Sequence, residues 1–155
     1  MSKKMALIAT KGTLDMAYPP FILASTAASL GWDVQIFFTF YGLQLLRKDL
    51  GDIKISPLAN PAMPMPVPMP VMVQMLPGME AMATMMMKQK MKSKGVASLT
   101  ELRDICVESD VKFIGCQMTV DLFEFKPSDF IDGIEYGGAA MFMKFAGESD
   151  VCLFI

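Results

Sequence analysis

Four short runs in this 155-residue sequence are apolar at almost every position instead of at alternate ones: residues 5–9 (MALIA), 34–40 (VQIFFTF), 111–116 (VKFIGC) and 151–155 (VCLFI). A strand without a polar face has to be buried on both sides. Sheets buried on both sides are parallel sheets covered by helices. The segments between the runs fit that demand. Ala17, Phe21, Ala24 and Ala28 recur at helical spacing, Asp15 is placed to cap their helix, Pro19 and Pro20 fall in its first turn, and Gly31 stops it. Residues 42–50 suggest a short helix with Leu43, Leu46 and Leu50 on one side. Ser98 and Glu101 form an S-x-x-E capping box that opens a helix through residue 108. Further short helices are expected at 119–125 and within 130–145. The pattern predicts a three-layer α/β/α fold of the flavodoxin/Rossmann-like kind with a mostly parallel sheet. One domain over residues 1–155 is expected, interrupted by an insertion at about 57–94.

That insertion is compositionally distinct. Residues 57–77 hold seven of the ten prolines and residues 63–91 hold eleven of the seventeen methionines. The prolines of residues 61–70 rule out helix and central strand, so an extended polyproline-like loop is expected there. Helix becomes possible from Pro77, with Met79, Met82 and Met86 on one face, widened by Met85 and Met87. Lys88, Lys90, Lys92 and Lys94 gather at its C-terminal end, and Glu80 is the only acid between Asp52 and Glu101. Three roles remain open for this segment: a contact inside a homo-oligomer, an adaptable surface for another protein, or a peripheral membrane contact. A Cu(I) site at Met63, Met65 and Met69 lacks any supporting Cys or His, so no metal is expected.

Composition narrows the chemistry. The chain contains no histidine, which excludes Ser-His-Asp and Cys-His catalysis, imidazole bases and His-based zinc sites. A net charge of −2 offers no basic excess for nucleic acid. Neither G-x-G-x-x-G nor G-x-x-x-x-G-K-[ST] occurs, so the loop at 10–14 is a weak nucleotide or flavin site and no cofactor is expected. The apolar run at residues 5–9 is too short for a signal sequence or a membrane span. Three unpatterned cysteines suggest free thiols in a reducing, cytoplasmic setting.

Ligands of parallel sheets gather beyond the carboxyl ends of the strands. Two segments meet that rule, Thr10-Lys11-Gly12-Thr13 and Gly115-Cys116-Gln117. Cys152, inside the last run, is expected as a small buried hydrophobe, and Cys106 as helix packing. Cys116 differs because it ends a strand and precedes a short helix, where amides and the dipole favour thiolate, and Lys11 could add a cation. Position alone leaves a reactive thiol and a buried structural one both open.

The block Gly115-Cys116-Gln117-Met118-Thr119-Val120-Asp121-Leu122-Phe123, the opening from Lys11 to Pro20, and Phe37-Phe38-Thr39-Phe40-Tyr41-Gly42 together resemble the DsrE/DsrF-like sulfur-relay family, in its branch often labelled "peroxiredoxin-like". The resemblance covers the whole chain. It implies a small parallel α/β subunit that oligomerises, carries sulfur as persulfide or thiosulfonate on Cys116, and passes it to a small sulfur-carrier partner. By the same likeness Lys11, Gly12, Thr13, Gln117, Met118 and Thr119 would surround the bound sulfur, whether as a sulfurtransferase or a stoichiometric carrier. No second cysteine lies next to Cys116, and the Thr/Pro-x-x-x-Thr-x-x-Cys pattern of true peroxiredoxins is absent. The rival reading is an oligomeric scaffold that docks through the Met/Pro segment and does no thiol chemistry.

Overall fold

In the computed structural model, residues 1–57, 60, 62, 64–67 and 69–155 are described. Five strands, β1 (Lys4–Ala9), β2 (Asp33–Phe38), β3 (Lys112–Cys116), β4 (Glu135–Gly137) and β5 (Val151–Phe154), form one sheet in the order β4-β3-β2-β1-β5. Every pairing in it is parallel, as the doubly apolar runs predict. The helices are α1 (Leu14–Ser29), α2 (Val71–Gln74), α3 (Met79–Ser93), α4 (Leu99–Glu108), α5 (Gln117–Leu122) and α6 (Ala139–Ala146).

The register sorts the side chains into two faces. Leu7, Ile36 and Phe113 share a row on the face packed against α1 and α4. There Phe21 of α1 sits 6.0 Å from Phe38 and 5.9 Å from Phe113, ring to ring. Ala6, Phe37, Ile114 and Cys116 point the other way, under Phe142 of α6, whose ring stacks on Phe37 at 5.1 Å. The chain steps in one direction from β1 to β4 and then returns past β1 to reach β5. That single reversal puts α6 on the opposite face, because parallel crossovers keep one hand. Among the described residues the layers are three, and the second helical layer is one helix of eight residues.

Several local expectations change. Thr13, not Asp15, holds the N-cap position of α1, because the Asp15 carboxylate is occupied by the Ser56 N–H and hydroxyl, both at 2.8 Å. The helix therefore starts earlier, and Pro19 and Pro20 lie in its interior instead of its first turn. The helix expected at 42–50 is a 3-10 turn over Phe40–Leu46. Arg103 ends it: the buried guanidinium donates to the carbonyls of Leu45 at 2.9 Å and of Arg47, groups that a continuing helix would use itself. The helix expected at 119–125 begins directly after the strand and is α5. Region 130–145 holds β4 as well as α6, and β4 carries only the residues E-Y-G, too few for a strand pattern. The capping box is formed, with Ser98 N–H donating to Glu101 Oε2 at 2.6 Å and Glu101 N–H to Ser98 Oγ at 3.2 Å.

Cys152 is exposed, against the expectation of burial, because β5 is an edge strand and Cys152 lies on the face whose one described covering helix is α6. The Met/Pro interval is fastened to the body rather than projecting from it. Ala83 and Thr84 of α3 are buried, Thr84 Oγ1 accepts the buried Ile55 N–H at 3.0 Å, and Lys54 pairs with Glu80 at 3.3 Å. Pro70 has polyproline angles (φ −61°, ψ 139°). Pro61, Met63 and Pro68 lie outside the described residues, so the extended loop and the Met63 copper reading are described only in part.

Candidate functional site: the thiol at the end of β3

Cys116 is the last residue of β3 and the N-cap of α5, with its side chain on the α6 face of the sheet. The adjoining loop after β2 completes its surroundings. Thr39 Oγ1 and Thr119 Oγ1 are 3.2 Å apart, and Phe40 N–H donates to Thr119 Oγ1 at 3.2 Å. Phe40 adopts a left-handed φ of +49°, an arrangement that aryl side chains seldom take. That turn aims its amide at Thr119 while its ring stays outside.

The thiol is subject to opposing influences. Burial pushes the Cys116 pKa up, but hydrogen bonds from the Thr119 hydroxyl and amide, the Thr39 hydroxyl and the Met118 amide outweigh it. The net result is a thiol held below its ordinary value. α5 has only six residues, so these neighbouring hydroxyls and amides, rather than a long helix dipole, do the stabilising. Cys106 is the contrast: it is fully buried, donates to Phe21 O at 3.4 Å, and is pushed by burial up to about 12.

The six residues expected around the sulfur divide into two groups. Thr119 and Met118 act on the thiol, through hydroxyl and amides. Gln117 turns away along α5, its amide donating to Asp121 Oδ1 at 2.8 Å. Lys11, Gly12 and Thr13 line a separate shallow crevice of about 340 Å³ with Met16, Tyr41, Gln44 and Ser56. Glycine is required at two points of this edge: a Cβ on Gly12 would collide with Tyr41 O, and one on Gly42 with Ala9 O. These contacts clamp the β1 and β2 loops to each other and leave the β2 loop between Lys11 and Cys116. Thr39 and Phe40 were not among the expected site residues, although the F-F-T-F-Y-G block contains both.

Around the thiol the surface is apolar. Met118 and Leu122 are exposed, and Tyr41 stacks on Phe123 with ring centroids 6.1 Å apart. Cys152 points to the same sheet face but is far away. Three strand spacings and four residue rises separate the two positions, roughly 20 Å, beyond any disulfide within one chain.

Comparison with known proteins gives a consistent result. The model of the DsrE/DsrF/DrsH-like family matches residues 1–154. The chain is 65% identical over 157 residues to "Sulfur carrier protein DsrE2" of Allochromatium vinosum, covering 99% of this chain and 98% of that one. It is 31% identical over 158 residues to "Uncharacterized protein YrkE" of Bacillus subtilis, with the same coverage. The crystal structure of the ychN protein of E. coli superposes with a TM-score of 0.57 at 12% identity over the full length of both chains, a likeness of fold. The parallel sheet, the thiol at its carboxyl edge and a family match across almost the whole length lead to one conclusion: this chain belongs to the DsrE/DsrF/DrsH-like family.

Proposed function

We propose that the protein is a sulfur-relay protein whose Cys116 holds sulfane sulfur and passes it to a partner sulfur carrier. The observation that carries this reading is the place of Cys116, buried at the end of β3 and the start of α5 beside the Thr39 and Thr119 hydroxyls, which together with the Met118 and Thr119 amides pull its thiol below the ordinary value. The 65% identity to a protein named a sulfur carrier supports the class of chemistry.

The loading step is an exchange. Cys116 thiolate attacks the outer sulfur of a donor persulfide R–S–SH. The new Cys116 S–S bond forms as the donor S–S bond breaks, and the proton of the transferred outer sulfur passes through solvent to the leaving thiolate R–S⁻, which departs as R–SH. The resulting perthiolate keeps its negative charge near the Thr119 hydroxyl and the Met118 and Thr119 amides. Transfer repeats the exchange: an acceptor thiolate takes the outer sulfur and Cys116 returns as thiolate. A thiosulfonate adduct would be held by the same donors. In this reading the protein works in the reducing cytoplasm and as a homo-oligomer; among the described residues one sheet face has a single covering helix, and Phe154 of the edge strand is 72% exposed.

The test is intact-protein mass after incubation with a persulfide or thiosulfonate donor, on the unaltered chain and on Cys116→Ser. An added sulfur or thiosulfonate group that disappears in Cys116→Ser supports the reading. Equal loading in Cys116→Ser, or no loading of the unaltered chain, refutes it.

A further inference from the structure

We infer that α3 and the short α2 before it form a docking surface for an anionic lipid bilayer, lying in the headgroup plane. The argument starts from how α3 divides its circumference. At 100° per residue, Ala83, Thr84, Met87 and Met91 share the side that packs on the body. Met82, Met85 and Met86 occupy an arc of about 100° on the opposite side, all exposed. The apolar surface continues in α2 and the turn after it, where Met72 and Met75 are about four-fifths exposed. With one side committed to the body, a helix of fifteen residues is left to lie on a membrane rather than cross it.

Charge selects the occupant. One to two turns beyond the exposed methionines, Lys90 and Lys92 fall roughly 80° to either side of Met82, flanking the arc, and both are exposed. Long stems so placed can lie along an apolar layer while their ammonium groups reach lipid phosphates. Lys94 follows at the helix end. The one acid of the segment, Glu80, is turned to the body side, where it pairs with Lys54 at 3.3 Å. A second copy laid on this face would bring uncompensated lysines against lysines. An anionic headgroup layer supplies the missing opposite charge. Exposed methionines suit a disordered acyl boundary, since their flexible thioethers conform to it at small cost.

The inference is independent of the sulfur reading, and its test keeps the two apart. The full chain is sedimented with vesicles of phosphatidylcholine alone and of phosphatidylcholine containing phosphatidylglycerol. Binding should be strong only on the anionic vesicles and fall with added salt. Replacing Lys90, Lys92 and Lys94 by Gln should weaken it on the order of a hundredfold, about fivefold per lysine. Replacing Met82, Met85 and Met86 by Gln should weaken it at least as much. All six side chains are exposed, and an unchanged circular dichroism spectrum verifies the fold of both variants. Loading of Cys116 should be unaffected in each. Failure of the unaltered chain to bind anionic vesicles, or binding that survives both sets of substitutions, overturns the inference. So does a light-scattering mass that drops in the methionine variant without vesicle binding, since the face then belongs to a second copy.

Discussion

Thr119→Val is the most direct test of how the site holds its thiol. Valine keeps the shape of a side chain that is fully buried and removes only the hydroxyl. That hydroxyl hydrogen-bonds the sulfur, accepts the Phe40 N–H at 3.2 Å and meets Thr39 Oγ1 at 3.2 Å. A hydrogen bond to a charged acceptor contributes about 1.5–3 kcal/mol. Removing it leaves burial opposed only by the Thr119 and Met118 amides and the Thr39 hydroxyl, so the Cys116 pKa should rise. The orphaned Phe40 N–H should cost a further 1–3 kcal/mol, roughly, in folding stability. The assay is the rate of iodoacetamide labelling of Cys116 against pH in a Cys152→Ser background, with denaturant unfolding in parallel. Thr119→Ser should restore the original profile. A Cys116 pKa that stays put or falls in Thr119→Val would refute the account of the site.

Cys106 should resist alkylation in the folded state and react only when the chain unfolds, because its thiol is buried and pushed to about 12; native-state labelling followed by peptide mapping decides this. Gly42→Ala should destabilise the protein by about 1–3 kcal/mol or more, since its new methyl meets the rigid Ala9 carbonyl; thermal unfolding reads the loss, and an unchanged Tm contradicts the clamp between the β1 and β2 loops. Asp15 is pushed up by burial but pulled lower overall by the Ser56 N–H and hydroxyl. A depressed carboxyl pKa adds stability that is complete above the unfolded value near 4 and is lost as pH falls through the folded value. Asp15→Asn should flatten the acid limb of stability against pH, and an unaltered limb would show that the Ser56 tie contributes nothing.

What could be read from the residues depended on the range over which each feature is determined. The Ser98/Glu101 capping box is local, a matter of four residues, and it forms as the spacing implies. The parallel sheet is readable because burial on both faces writes itself into each strand separately. Cys152 was misread for the converse reason. V-C-L-F-I is as apolar as a central strand, and only the strand order shows that β5 sits at an edge. The site follows the same division. Cys116 stands out in the sequence as the end of a strand before a helix, whereas its contact with Thr39 exists because β2 and β3 are neighbours in register. Lys11 looks adjacent by its position after β1, but the β2 loop comes between them. β4 has no signature because its three residues are strand only through their pairing with Ile114, Gly115 and Cys116.

The place of β5 beside β1 also sets a timetable for synthesis. Met5 pairs with Val151 and Ile8 with Phe154, so one edge of β1 waits for residues made almost a full chain length later. At ribosomal speeds of about 5–20 residues per second that delay is roughly 7–30 seconds. During it β1, α1 and β2 can already dock, being close in sequence, while the free backbone edge of M-A-L-I-A stays open to any other extended chain. A ribosome stalled after β4 would therefore hold a nascent chain that has most of its sheet and one adhesive border, and aggregation from such intermediates should be seeded at β1.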